Sequence, residues 1–453
     1  MAISEIVDVS ITETETGTTL ESFDIIGILA AAADTTPASY SSVRAKVYDA
    51  NTSGLAAIAD DWTDSSVAYE MAAQIVAQEV HPDQIVIMKR GAAVATVKTV
   101  TFSGNLASGH SVSGVVNGTA FGPIAFSVDE STTLGLIDDA ITAIEGVGGV
   151  TTDAGTNTVV ITASSEWDLD VSITTAGTAA PTAAITVTTA GRNAADDLAD
   201  AIAEDDTNIW YGLVTGDTNK GLQLATAAYI ETTEKYYWLR TSESASKTAG
   251  GADALAIRLS DENYRRTLGF WHHDLTEYID AAAMGLYLGN SPGSIQLFGR
   301  ELTGVTVTPT SSLDSTGVTV LEGRFFNTYR QFGAYGMVKK GVRVDGVVAE
   351  ATRDLDYARN ELRAAFLVYL SQTMKPPYDK DGLKSIEMVG QGVMQRMVSE
   401  GIFRGDLPAT FEVPALSAIS STDQSNRLVP NCLAKATLLK GVIQVEIPMQ
   451  IAI

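Results

Sequence analysis

Four histidines, one cysteine and 55 acidic residues are the groups from which this 453-residue chain could build a reactive site. His272 and His273 are adjacent, so they cannot supply the one-turn spacing with which a helix holds zinc. They read instead as a strand end leading into a helix capped by Asp274 or Thr276. Gly216-Asp217-Thr218-Asn219-Lys220-Gly221 has the composition of a phosphate loop without its spacing, and predicts a turn entering a helix. Gly146, Gly148 and Gly149 miss the dinucleotide fingerprint. Of the two Asp-Leu-Asp triplets, Asp168/Asp170 reads as alternation on a strand. Asp354/Asp356 reads as the first turn of a helix, where carboxylates favour the dipole. Cys432 has no second cysteine to pair with, and Leu428, Val429 and Leu433 around it predict a buried, inert thiol. Metal ligation, phosphate binding and acid–base catalysis each need partners that these spacings do not bring, so neither an enzyme nor a cofactor is expected.

The net charge of −25 repels phosphate backbones and argues against nucleic acid as a partner. The longest early apolar run, residues 25–33, is too short to span a bilayer and lacks a basic flank; neither a membrane insertion nor a secretory signal is predicted. Charge is unevenly spread. Residues 321–404 carry thirteen bases and ten acids, about +3, against about −28 for the remainder. Such asymmetry is expected where one part of a protein meets an acidic part of a neighbouring copy.

With 45% apolar side chains, the elements around these residues can build a large core in two or three domains. The pattern predicts an α/β and α+β multidomain protein with extended terminal β-arms. An N-terminal arm, residues 1–20, alternates Val7, Val9 and Ile11 against Asp8, Ser10 and Thr12, a strand with no hairpin partner nearby. A sheet-and-helix domain occupies 21–91 and resumes over 193–300, with helices read near Met71, Leu222, Leu255 and Leu288 and apolar strands between. Residues 92–192 interrupt it. They are rich in Thr, Ala, Gly and Val, carry many acids, and predict an inserted, mostly-β surface domain whose ends lie close together. A C-terminal α+β domain, 301–436, opens with a β-rich segment containing Val305, Val307, Val318, Val320, Phe325 and Phe326. It continues with helices over 353–370 and 383–398, the second ending at Gly401. The last arm, 437–453, alternates Ile443, Val445, Ile447 and Met449 against Gln444, Glu446, Pro448 and Gln450. An unpaired amphipathic strand is commonly satisfied by another chain.

Three runs in the C-terminal third carry a resemblance: Asn327-Thr328-Tyr329-Arg330, Gly341-Val342-Arg343-Val344-Asp345-Gly346, and Arg353-Asp354-Leu355-Asp356-Tyr357-Ala358-Arg359-Asn360-Glu361-Leu362. In their order they resemble contractile phage tail sheath proteins of the myovirus type. Arg427-Leu428-Val429-Pro430 and Ile447-Pro448-Met449-Gln450-Ile451 are similar to the closing arm of that family. Residues 92–191 look like its variable surface insertions. The resemblance implies a structural subunit polymerising as stacked rings around a tail tube, with Val7, Val9, Ile11, Ile443, Val445, Ile447 and Met449 in strands exchanged between copies. It further implies further copies, a tail tube protein, and baseplate and tail terminator proteins as partners, and a place in the virion after assembly in the host bacterial cytoplasm. Two other classes fit the residues less fully. A tail tube or scaffold protein would usually be shorter and mostly β. An acidic adhesin or carbohydrate-binding protein would need aromatic clusters in the insert, which offers Phe102, Phe121, Phe126 and Trp167.

Overall fold

The structure, a computed structural model, describes residues 22–204, 207–251 and 253–441. The chain enters a parallel sheet at β1 (Ile26–Leu29), then forms β2 (Ala45–Asp49), α1 (Thr52–Trp62), α2 (Val67–Val76) and β3 (Gln84–Met88). Asn51 and Ser66 cap the two helices by accepting from the amides of Gly54 and Tyr69.

Residues 97–189 leave this sheet and build two antiparallel ones. Their strands are β4 (Val97–Phe102), β5 (Ser111–Val116), β6 (Thr119–Ala125), β7 (Val147–Asp153), β8 (Thr158–Ala163), β9 (Val171–Ala176) and β10 (Ala183–Thr189), with α3 (Glu130–Thr142) between β6 and β7. The orders are β10-β4-β8-β7 and β6-β5-β9. Both sheets and α3 share a core of their own around Val100, Phe102, Leu134, Ile137, Val159 and Ile161. Val94 and Arg192 exchange two main-chain hydrogen bonds of 2.9 Å, which brings the ends of the excursion together.

The chain then returns through α4 (Ala194–Ile202), β11 (Gly212–Thr215), α5 (Lys220–Glu231), β12 (Tyr236–Thr241), α6 (Leu255–Asp261), β13 (Thr267–Trp271), α7 (Ile279–Gly289), α8 (Ser315–Gly323), β14 (Asn327–Phe332) and β15 (Tyr335–Lys339). The completed order is β15-β14-β13-β12-β11-β1-β3-β2. Its six central strands are parallel, and each edge strand is antiparallel to its neighbour. Helices cover both faces, so the strands are apolar on both sides. Ile26, Ile28, Ile85, Ile87, Trp238 and Phe270 face α1, α2 and α7, while Leu29, Val86, Met88, Tyr237, Leu239 and Trp271 face α4, α5, α6 and α8. Gly212 permits α7 to close on β11, since a Cβ there would lie 2.5 Å from the Met284 sulfur.

The last part consists of α9 (Glu350–Gln372), α10 (Lys380–Ser399), β16 (Thr410–Glu412), α11 (Ser421–Ser425) and β17 (Leu433–Lys435). α9 and α10 form a hairpin over Leu362, Phe366, Val393, Met397 and Phe411. Asp379 caps α10, and Gly401, with φ of +83°, follows its end.

Four expectations need correction. Of the segment read as β-rich, Val318 and Val320 lie in α8 and Val305 and Val307 in no strand: Asp314 caps α8, and Val318 and Leu321, three residues apart, bury against the core. Asp168 and Asp170 lie on no strand; they precede β9, which begins at Val171. α9 begins at Glu350, so Asp354 and Asp356 lie beyond its first turn. Cys432 is exposed, because the chain around it runs over the surface with β17 as its sole short strand.

The buried charges of α9 hold it to the sheet. Asp356 accepts from Tyr211 Oη at 2.8 Å and from Arg266 at 2.8 and 2.9 Å. Arg363 donates to both carboxylate oxygens of Glu234 at 3.1 Å, and Arg359 reaches the same carboxylate at 3.4 Å. Removing one partner of a buried pair strands the other. Glu234→Ala should therefore destabilise the fold by about 3–5 kcal/mol, read as a lowered urea midpoint; a loss below about 1 kcal/mol, the range of solvated pairs, would show that the two guanidinium groups reach water.

Candidate assembly surface

Open α/β sheets usually take ligands at the carboxyl ends of their strands, where the strand order reverses. Here that place lies between β1 and β11, and protein groups fill it. Asp217 accepts from the Ala32 amide at 2.8 Å and from Arg90 at 3.1 Å. Arg240 donates to the carbonyls of Thr215 and Gly216 at 3.0 Å and pairs with the fully buried Asp280 at 2.9 Å. Beside it remains a crevice of about 280 Å³ lined by Thr218, Lys220, Gln223, Thr241, Glu243 and Leu255. Gly216 to Gly221 form the turn into α5, with Asn219 as its cap.

His272 is buried, its ring nitrogens 2.7 and 2.9 Å from the carbonyl oxygens of Asp274 and Thr306. Asp274 accepts from the Thr276 amide at 2.9 Å. Among the described residues no group of three or more His, Cys, Asp or Glu is placed to hold a metal ion. Among them, too, no helix is long and apolar enough to cross a membrane.

The C-terminal part carries a run of exposed apolar side chains. Val368, Leu370, Met374 and Met388 are exposed on the α9–α10 hairpin, and Leu428, Leu433 and Leu439 along the closing chain. A groove of about 690 Å³ runs between α10 and residues 413–424, lined by Lys380, Leu383, Lys384, Val413, Pro414 and Leu416. Next to it, β16 and β17 form a sheet of two strands. α10 closes one side of that sheet with side chains: Gln391 accepts from the Phe411 amide at 3.0 Å and donates to the Ala409 carbonyl at 2.8 Å. β17 has β16 as its one strand neighbour among the described residues. A three-residue edge of this kind is an opening for an added strand.

The residues expected to exchange strands, Val7, Val9, Ile11, Ile443, Val445, Ile447 and Met449, all lie outside the described residues. Part of the basic segment is used within the chain. Arg343, Arg353, Arg359 and Arg363 are buried, Arg353 donating to the carbonyls of Tyr287 and Leu288 at 2.8 and 3.1 Å. Arg343 meets Asp345, and Arg359 and Arg363 meet Glu234. Lys375, Lys380 and Lys384 remain outward-facing. Sequence reasoning missed the apolar surface of the hairpin: Val368 and Leu370 flank the buried stripe of Ala358, Leu362 and Phe366 rather than lie on it, and Met374 follows the end of α9.

No family model matches the chain, and no curated protein matches it in sequence. In fold the protein is of the contractile-sheath kind. The sheath of an extracellular contractile injection system, PVC, in its contracted state is similar over 98% of this chain and 97% of that one, at 8% identity and a TM-score of 0.50. The contracted helical sheath of the anti-feeding prophage aligns over 98% and 97%, at 10% identity and a TM-score of 0.47. A sheath tail protein from Desulfitobacterium hafniense aligns over 89% and 93%, at 9% identity and 0.45.

Two buried carboxyls sit in the first turns of α9. Burial pushes Glu350 up to about 7 and Asp354 up to about 6, the latter despite the Gly293 amide at 3.0 Å. A carboxyl with a raised folded pKa adds stability below its unfolded pKa and loses that contribution as pH rises through the folded value. For Glu350 the window runs from 4.5 to about 7. Glu350→Gln should therefore leave stability unchanged near the lower bound and raise it at pH 8 by about 1–3 kcal/mol, seen as a melting-temperature gain over wild type. An equal gain at both pH values would place the effect in packing.

Proposed function

We propose that the protein is the structural subunit of a contractile tail sheath. It polymerises as stacked rings around a tail tube, and shortening of the sheath drives the tube through the host envelope. The observation that carries this reading is the full-length likeness in fold to the PVC sheath subunit. The order of the C-terminal motifs and the apolar, strand-accepting surface around β17 add support. On this reading residues 1–20 and 437–453 are arms, 92–192 an outer insert, 21–91 and 193–300 the middle domain, and 301–436 the inner domain. The partners are further copies, a tail tube protein, and baseplate and terminator proteins. The role is non-enzymatic, and the site of action is the virion tail, assembled in the host bacterial cytoplasm. Contraction energy would reside in metastable subunit packing and need no nucleotide.

The arms are the means of linkage. Val7, Val9 and Ile11, or Ile443, Val445, Ile447 and Met449, would lie along an open edge such as β17 in a neighbouring copy. Main-chain hydrogen bonds would then be joined by apolar burial worth about 1.5–3 kcal/mol for each large side chain. Deleting residues 442–453 should leave a folded monomer that forms no tubes by negative-stain microscopy. Val445→Asp and Ile447→Asp should block tubes likewise, whereas Gln444→Asp on the polar face should permit them. Normal tubes from the truncated chain would remove the C-terminal arm from the assembly mechanism, and monodisperse monomers from the intact chain would count against the sheath reading itself.

A further inference from the structure

Where the excursion of residues 92–192 touches the parallel sheet, its acids meet the bases of the body. Glu166 accepts from Arg90 at 2.5 Å through one oxygen and from the Ala194 amide, at the start of α4, at 3.1 Å through the other. Arg90 also binds Asp197 and Asp217, both at 3.1 Å, and its side chain is 4% exposed. Glu145 accepts from Lys220, the first residue of α5, at 2.8 and 2.9 Å, and lies 3.7 Å from Arg258. Trp167 sits directly on Gly221, where an added Cβ would fall 2.5 Å from the indole, and the Arg258 guanidinium stands 5.6 Å from its ring centre. Two carboxylates thus lie at the positive ends of two body helices, each beside a cation.

The loop that delivers Glu166 and Trp167 is strained. Glu166 has φ of +69°, a left-handed conformation that costs a non-glycine residue about 1–2 kcal/mol. Such geometry persists where surrounding contacts over-determine it. The covalent connection is slight by comparison: residues 92–94 are exposed, and the Val94–Arg192 pair bridges the two passing chains. A neck of two short strands with a separate core above it bends easily unless a second attachment fixes the angle.

We propose that Glu145, Glu166 and Trp167 form a latch that fixes residues 92–192 in one orientation on the body, and that opening it lets the unit swing about its neck with both parts still folded. This inference does not rest on the sheath reading. The test uses the full chain carrying Glu145→Gln with Trp167→Ala, which spares Arg90 and its three carboxylates, and reads hydrogen exchange by residue. The Val94 and Arg192 amides should exchange about 10-fold faster or more, while those of β4, β8 and α3 keep their protection. Trp167→Phe, which preserves the stacking on Gly221 and Arg258, should exchange as wild type at the neck. Unchanged neck exchange in the double variant would show that Glu145 and Trp167 fix nothing, and would overturn the three-residue latch. Loss of protection throughout β4, β8 and α3 would show that insert and body fold as one unit, and would equally overturn the latch.

Discussion

The fold depends on keeping charge buried at both ends of one parallel sheet. Main-chain groups at strand ends need partners, and a charge held there must itself be compensated. At the amino ends, Glu234 stands before β12, Arg266 before β13 and Tyr211 before β11, and all three are answered from α9. At the carboxyl ends, Arg90 follows β3 and Asp217 follows β11; Glu166 from the insert and Asp197 from α4 complete that set. Two segments that look peripheral in sequence therefore close the two ends of the central sheet.

That arrangement also fills the strand-order reversal with protein groups and leaves the crevice of about 280 Å³ to one side. Arg240 and Asp280 occupy the floor, with Asp217 and Arg90 beside them. A fold with the layout of a nucleotide-binding domain has its binding place filled by internal salt bridges.

Much of the fold was legible because it follows local rules. β3 and β12 are apolar over most of their length, at 85–88 and 236–239, as doubly covered strands must be, and the faces of α2, α9 and α10 repeat at helical spacing. α8 was misread because Val318 and Val320 alternate like a strand, while the contacts that favour a helix come from distant residues. β2 and α1 escaped notice because Ala45–Asp49 mixes charge into a sheet edge and Thr52–Trp62 is built largely of small residues. The contact surfaces were less legible. Arg363 and Glu234, or Arg90 and Glu166, are far apart in the chain, and no short-range pattern connects them. A base following a buried strand, as Arg90 follows β3, was the faint signal available. The proposed arm residues lie outside the described region, so their reading still rests on alternation and resemblance.

α9 is 23 residues in one unbroken helix, about 34 Å long at 1.5 Å per residue. Its first half is clamped under the sheet by Arg353, Asp356, Arg359 and Arg363, and its final turns project Val368 and Leu370 beyond the body. Mechanically it is a cantilever: neither glycine nor proline interrupts it to act as a joint. A load applied at its carboxyl end would be carried along the helix, with no joint to absorb it, to the buried ion pairs at the root.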